Sequence, residues 1–275
     1  MKSNLPNFIV AGVMKGSTTA AAFNLNKHLE VYCVTARWKA KVNNFYGHDI
    51  SNLVMGLGNE GTKEMDFFNK EINYQRGLEF YKNYFPQYRI AMGESSPNYF
   101  YVNAPESSKT VERMKRDIPN AKIIIILRDP INRSFSHWNH IQKPQFSFAP
   151  QFKGKTFNEC TEKWGTFENN NIIQRSLYLD NLNSYIEGFG KENIYVTTQE
   201  AIKADNFGEY NKMYTFLGVD TLDVNPGYKV NALAASYNTT MDDASKTFLQ
   251  TYLKSDVEGV KALYPDLDYS SWNTY

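Results

Sequence analysis

The run Lys122-Ile123-Ile124-Ile125-Ile126-Leu127 limits the fold more than any other stretch of the chain. Neighbouring side chains of a strand point to opposite sides, so four isoleucines in succession leave no polar face. Such a strand must be covered on both sides, as in a central strand of a parallel sheet packed between helices. Shorter apolar runs occur at Phe8–Val13, Val31–Thr35, Arg89–Gly93 and Asn193–Thr198. Segments of helical period lie between them at Ser17–Leu29, Gly77–Tyr84, Ser107–Asp117, Pro130–Ile141 and Gln174–Gly188. This alternation predicts βαβ units. The expected fold is α/β: one domain over residues 1–275, a central parallel sheet flanked by helices, with Phe8–Val13 and Lys122–Leu127 near its middle. Residues 143–172 read as a long loop with one short helix beside a cleft, and 38–66 as a second irregular stretch. Helical period returns at Asp242–Leu253 and Asp256–Leu263.

Composition narrows the function. The net charge of +1 gives no global field for nucleic acid or an anionic membrane, so any anion site must be a local cluster. No run of 18 apolar residues is present, and the first strand begins by Phe8, so neither a membrane span nor a signal peptide is expected. Cys33 and Cys160 are too far apart in sequence to read as a disulfide framework, which suits a cytoplasmic location. The four histidines (His28, His48, His137, His140) form no zinc-binding pattern, and no metal is expected. The 19 Tyr and 18 Phe are enough to fill a core and also to line a substrate cleft.

Phe8–Val13 runs directly into Lys15-Gly16-Ser17-Thr18-Thr19 and then into a helix. Unpaired N–H groups, the positive end of the helix dipole and an ammonium meet at that turn, which suits a phosphate- or sulfate-bearing ligand. A Walker loop places its lysine after the second glycine. Here the order is Gly12-Val13-Met14-Lys15-Gly16-Ser17-Thr18, with lysine first. A second cation, Arg128, ends the isoleucine strand, with Asp129 and Pro130 suited to cap and start the next helix. Ligands of open α/β sheets bind beyond the carboxyl ends of the strands, so Arg128 and Lys15 are expected on one rim. A guanidinium fork fits a phosphate, and Ser136 adds a hydroxyl from the helix.

The Lys15 loop resembles the 5′-phosphosulfate loop of sulfotransferases that use 3′-phosphoadenosine 5′-phosphosulfate (PAPS), nearest to the heparan sulfate N- and 3-O-sulfotransferase branch and its bacterial relatives. Leu127-Arg128-Asp129-Pro130, with Arg133 and Ser136, is similar to that family's 3′-phosphate motif L-R-D-P-x-x-R-x-x-S. Gly93-Glu94-Ser95-Ser96-Pro97-Asn98-Tyr99 resembles G-E-[KA]-[ST]-P-x-Y, and Arg175-Ser176-Leu177-Tyr178 resembles a segment flanking the acceptor cleft. The resemblance implies a P-loop-like sulfotransferase fold and PAPS as sulfuryl donor. Lys15, Gly16, Ser17, Thr18 and Thr19 would hold the 5′-phosphosulfate end, and Arg128 and Ser136 the 3′-phosphate. Lys15 would also be catalytic. Arg133 reads equally well as structural.

Two departures bear on the chemistry. The branch carries K-E-x-H-F-F after its second strand, with the glutamate as general base. Lys41-Val42-Asn43-Asn44-Phe45-Tyr46 is the stretch set against it, and Val42 cannot accept a proton. Glu94 and His48 (with Asp49 beside it) are the alternative bases, and Glu94 also has a structural reading as a hydrogen-bond acceptor. The family's K-G-R-x-H-P loop has no counterpart near Ala234–Thr240, which points to a smaller acceptor than a polysaccharide. The acceptor atom, hydroxyl or nitrogen, stays open. So do a P-loop nucleotide kinase and a non-catalytic PAPS-binding protein.

Overall fold

The computed structural model describes residues 5–34, 64–85, 88–104, 107–143, 152–162, 171–228, 240–272 and 275. The isoleucine run is strand β4 (Lys122–Leu127), and its neighbours explain the missing polar face. It lies between β1 (Phe8–Gly12) and β5 (Ile194–Thr198) in a five-stranded sheet completed by β2 (Val31–Val34) and β3 (Ala91–Ser95). The order is β2-β3-β1-β4-β5, and every neighbouring pair is parallel. Ile123, Ile125 and Leu127 join Ile9 and Ala11 in the core on one face. Ile124 and Ile126 join Phe8 and Val10 on the other. None of the four isoleucines has any exposed surface, and each such burial contributes about 1.5–3 kcal/mol.

Seven helices of the described residues concern the site and its support: α1 (Thr18–Leu25), α2 (Thr110–Asp117), α3 (Pro130–Gln142), α4 (Leu179–Phe189), α5 (Gln199–Ala204), α6 (Asn206–Leu217) and α7 (Asp243–Leu263). Ala21 and Leu25 of α1, with Met213 and Tyr214 of α6, cover one face. Met114, Ile131, Leu182, Tyr185 and the α7 stripe Leu249, Leu253, Val257, Val260 cover the other. That stripe repeats at helical spacing, so one side of α7 is apolar along its length.

Several boundaries differ from the sequence reading: α1 ends at Leu25 and not Leu29, and α4 starts at Leu179 and not Gln174. Strand β3 starts at Ala91 and continues through Glu94 and Ser95, past the expected end at Gly93. The helical stretches at 242–253 and 256–263 are one helix, α7. Asp256, within it, serves a neighbour: its carboxylate accepts the N–H groups of Tyr178 (2.8 Å) and Leu179 (2.9 Å) at the start of α4. Of the loop at 143–172, the described part holds a short helix at Phe157–Glu162 and the start of another at Asn171–Gln174. Among the described residues, no helix is long and apolar enough to cross a membrane.

Candidate active site

β1 is the middle strand, and the chain leaves its carboxyl end through a tight loop into α1. Lys15 (φ 72°) and Ser17 (φ 75°) both occupy the left-handed region, which non-glycine residues rarely adopt. Such conformations persist where the surroundings hold them, and they gather at ligand sites. Gly16 lies between them, pressed against β4: a Cβ there would sit 2.4 Å from the Ile126 carbonyl oxygen and 2.9 Å from that of Val13. Both are backbone atoms, so neither can give way. Gly16→Ala is therefore expected to destabilise the protein by about 1–3 kcal/mol, read as a lower midpoint in thermal unfolding. An unchanged midpoint would show the loop to be looser than this contact implies.

The loop is braced from behind. Arg128 Nη1 donates to the Lys15 carbonyl (3.2 Å), and Gln199 Nε2 donates to the same oxygen (3.3 Å) and to Ser17 Oγ. Ser17 makes no side-chain capping bond to α1, so its hydroxyl does not take up the first-turn N–H groups that favour an anion. Thr18 is buried, its carbonyl accepting from Ser95 Oγ (3.3 Å), while Lys15, Ser17 and Thr19 are partly exposed. The Arg128 guanidinium thus reaches the backbone of the Lys15 loop, so the two residues singled out from the sequence are neighbours at the carboxyl ends of β1 and β4.

The residues after Arg128 fix its position. Asp129 caps α3 by accepting the Asn132 N–H (2.7 Å), with Pro130 at the first helical position. The Arg128 carbonyl accepts from Tyr178 Oη (2.8 Å). Its guanidinium lines a cleft of about 470 Å³ together with Asn132, Glu200, Lys203, Ala204 and Ser271. Burial and the nearby Arg128 charge lower the Lys203 pKa, so a bound anion would relieve the repulsion. Ser136 lies further along α3 with 2% exposure, so Arg128 is the part of that motif that offers its side chain to the cleft. Arg133 is fully buried and structural: Nε donates to Ser176 Oγ (2.5 Å) and Nη2 to the Ile172 carbonyl, and burial lowers its pKa to about 10.

The candidate bases separate. His48 lies outside the described residues, as do Val42 and Asn44. Glu94 has no exposed surface. Tyr99 Oη (2.6 Å) and Tyr81 Oη (2.9 Å) donate to its Oε1, and Ser96 Oγ (2.6 Å) to Oε2. Burial raises its pKa to about 7 against those three donors. Tyr99 Oη and Ser96 Oγ also accept the backbone N–H groups of Phe67 (2.7 Å) and Asp66 (3.0 Å). Glu94 is therefore the anchor of the backbone at Asp66 and Phe67, closed off from any acceptor.

That segment holds a match to the glutamate motif that the sequence reading missed. Lys63-Glu64-Met65-Asp66-Phe67-Phe68 fits K-E-x-H-F-F at the lysine, the glutamate and both phenylalanines, with Asp66 in the histidine position. It comes after β2, as the pattern requires, but 22 residues beyond the stretch first set against it. Glu64 is partly exposed, and burial, then the Asp66 charge, raise its pKa to about 7 against the opposing pull of Lys70 and Arg175. A partly exposed carboxyl poised near neutral pH has the properties of a general base. Gln199 and Lys203 were also missed. They carry no motif, and only the pairing of β5 with β4 brings α5 beside Arg128. Among the described residues, no group of His, Cys, Asp and Glu could hold a metal ion.

Known proteins share these features of fold and sequence. The family described as "Sulfotransferase domain" matches residues 5–256. Among curated relatives, the bifunctional heparan sulfate N-deacetylase/N-sulfotransferase 4 of Mus musculus is 27% identical over 95% of this chain and 30% of its own length. The membrane-associated sulfotransferase kil1 of Dictyostelium discoideum is 32% identical over 49% of this chain and 23% of its own length. The chain thus spans under a third of the length of either relative. Among solved structures, a sulfotransferase from Alicyclobacillus acidocaldarius shares the fold with a TM-score of 0.68 and 24% identity, covering 97% of this chain and 98% of that one.

Proposed function

The chain belongs to the sulfotransferase family, and we propose that it is a single catalytic domain that moves the sulfuryl group of PAPS to a hydroxyl or nitrogen of a small-molecule or sugar acceptor. The observation that carries this reading is the bond from Arg128 to the Lys15 carbonyl, which brings the guanidinium beside the loop that bears Lys15 and so supports two cationic grips on one rim. A nucleotide with phosphate at both ends of its ribose needs two such grips. The close contact of Gly16 with β4 and the left-handed backbone at Lys15 and Ser17 fit a backbone cradle for a phosphosulfate.

PAPS supplies an activated sulfuryl group when bound. Sulfuryl transfer is chemically akin to phosphoryl transfer, where catalysis is mostly positioning and charge stabilisation. The Lys15 ammonium offsets the negative charge that grows on the departing 3′,5′-ADP. The N–H groups from Gly16 to Thr19 and the nearby hydroxyls cradle the 5′ end. Arg128 holds the 3′-phosphate, with Lys203 adding a second cation in the same cleft. Glu64 accepts the proton released by the acceptor. The test is turnover of radiolabelled PAPS with candidate amine, alcohol and sugar acceptors. Label transferred to any of them supports an enzyme, and binding without transfer across the panel would favour a non-catalytic PAPS-binding protein.

Arg128→Ala is expected to weaken 3′,5′-ADP binding and leave ordinary ADP largely unaffected. A charge-assisted hydrogen bond is worth about 1.5–3 kcal/mol, or roughly 10–150-fold in Kd. Isothermal titration with both nucleotides checks this, and equal losses for both would remove Arg128 from the 3′-phosphate.

A further inference from the structure

Asn98 lies between a cation and two carboxylates. Its Nδ2 donates to Glu64 Oε2 (3.2 Å) and to Asp66 Oδ1 (3.2 Å), and its Oδ1 accepts from Arg175 Nη1 (3.1 Å). Only this orientation of the amide satisfies all three neighbours. The reverse would set its NH₂ against guanidinium N–H groups and its oxygen against two carboxylates. The surroundings hold each partner in turn. Arg175 stacks over the Tyr101 ring at 4.9 Å, and Tyr101 Oη donates to Gln174 Oε1 (3.0 Å). Lys70 pairs with Asp66 (2.6 Å), whose N–H donates to Ser96 Oγ. Asn98 itself sits in the short helical turn Pro97–Phe100, directly after β3.

We propose that Asn98, clamped by Arg175, is the positioning residue that holds Glu64 in its proton-accepting form and orientation. The inference rests on the reading of Glu64 as the base. A donor aimed at a carboxylate favours its ionised state. Without it, the charges facing Glu64 would be Asp66 and Glu94 against Lys70 and Arg175, with burial opposing ionisation throughout. Asn98 therefore works against burial and the Asp66 charge, keeping the carboxylate available near neutral pH. An amide that merely joined two loops would not need its oxygen locked by a guanidinium.

The test is an NMR titration of the whole chain labelled at the glutamate side-chain carboxyl carbon, with the Glu64 signal assigned by its loss in Glu64→Gln. In Asn98→Leu the Glu64 midpoint is expected to rise by about one unit or more. Asn98→Ser, too short to reach, should behave alike and stands in if the leucine variant does not fold. Arg175→Met should raise the midpoint in the wild-type background and raise it less in Asn98→Leu, because the two act through one bond. An unmoved midpoint in both Asn98 variants would overturn the proposal, and so would an Arg175→Met shift of equal size in the two backgrounds. Loss of the underlying reading shows separately: Glu64→Gln would turn over radiolabelled PAPS at the wild-type rate.

Discussion

Lys15→Ala is expected to lower turnover of PAPS by about 10²–10³-fold, the scale of removing one preorganised donor from a developing anion. Binding of 3′,5′-ADP should change far less. The reason lies in how the loop is held: Arg128 and Gln199 grip the Lys15 carbonyl, not its side chain, so truncation leaves the backbone cradle in place. Gly16, lodged against the Ile126 carbonyl, fixes the loop from the other side. Rate and affinity measured on the same preparation decide the matter. An unchanged rate would remove Lys15 from the chemistry, and a parallel collapse of binding would make it a nucleotide anchor.

Glu64→Gln is expected to cost about 10²–10⁴-fold in kcat, the usual range for a positioned proton acceptor. Glutamine keeps the shape and can still meet Asn98, so the loss reports the missing base. The pH dependence gives a second signature. Glu64 must be ionised to act, and its pKa is raised to about 7, so kcat should climb as pH rises through about 7 and level off above. The limb should vanish in Glu64→Gln. Glu94 shares the raised pKa but is fully buried and held by hydrogen bonds from Tyr81, Tyr99 and Ser96, so replacing it should act first on stability. A wild-type rate in Glu64→Gln would return the base to the residues outside the described part of the chain, His48 among them.

The sheet was legible because burial on both faces writes itself into the residue types. Each of the five apolar runs became a strand, and β1 and β4 lie side by side at the centre. The end of β3 was not legible, because a glutamate normally marks exposure. Here Glu94 is buried among hydroxyls contributed by Tyr81 and Tyr99, partners known only once the chain has folded. The role of Asp256 was hidden in the same way: it was read only as part of a helical stretch, and its bonds to the start of α4 exist only in the folded chain. At the site, Lys15 and Arg128 could be read because each comes after a strand whose direction sets the rim. Glu64 was hidden by distance and by Asp66 standing where a histidine was sought. Gln199 and Lys203 had no local signal, and only strand pairing brings Gln199 to the Lys15 loop and Lys203 to the cleft.

The central claim is a single rim with an ammonium at one end of the nucleotide and a guanidinium at the other. Calorimetric titration with 3′,5′-ADP, and separately with ATP and Mg²⁺, tests it most directly. The account predicts saturable binding of 3′,5′-ADP without magnesium, with any binding of ATP at least about tenfold weaker. Tighter binding of ATP with Mg²⁺ than of 3′,5′-ADP would contradict it.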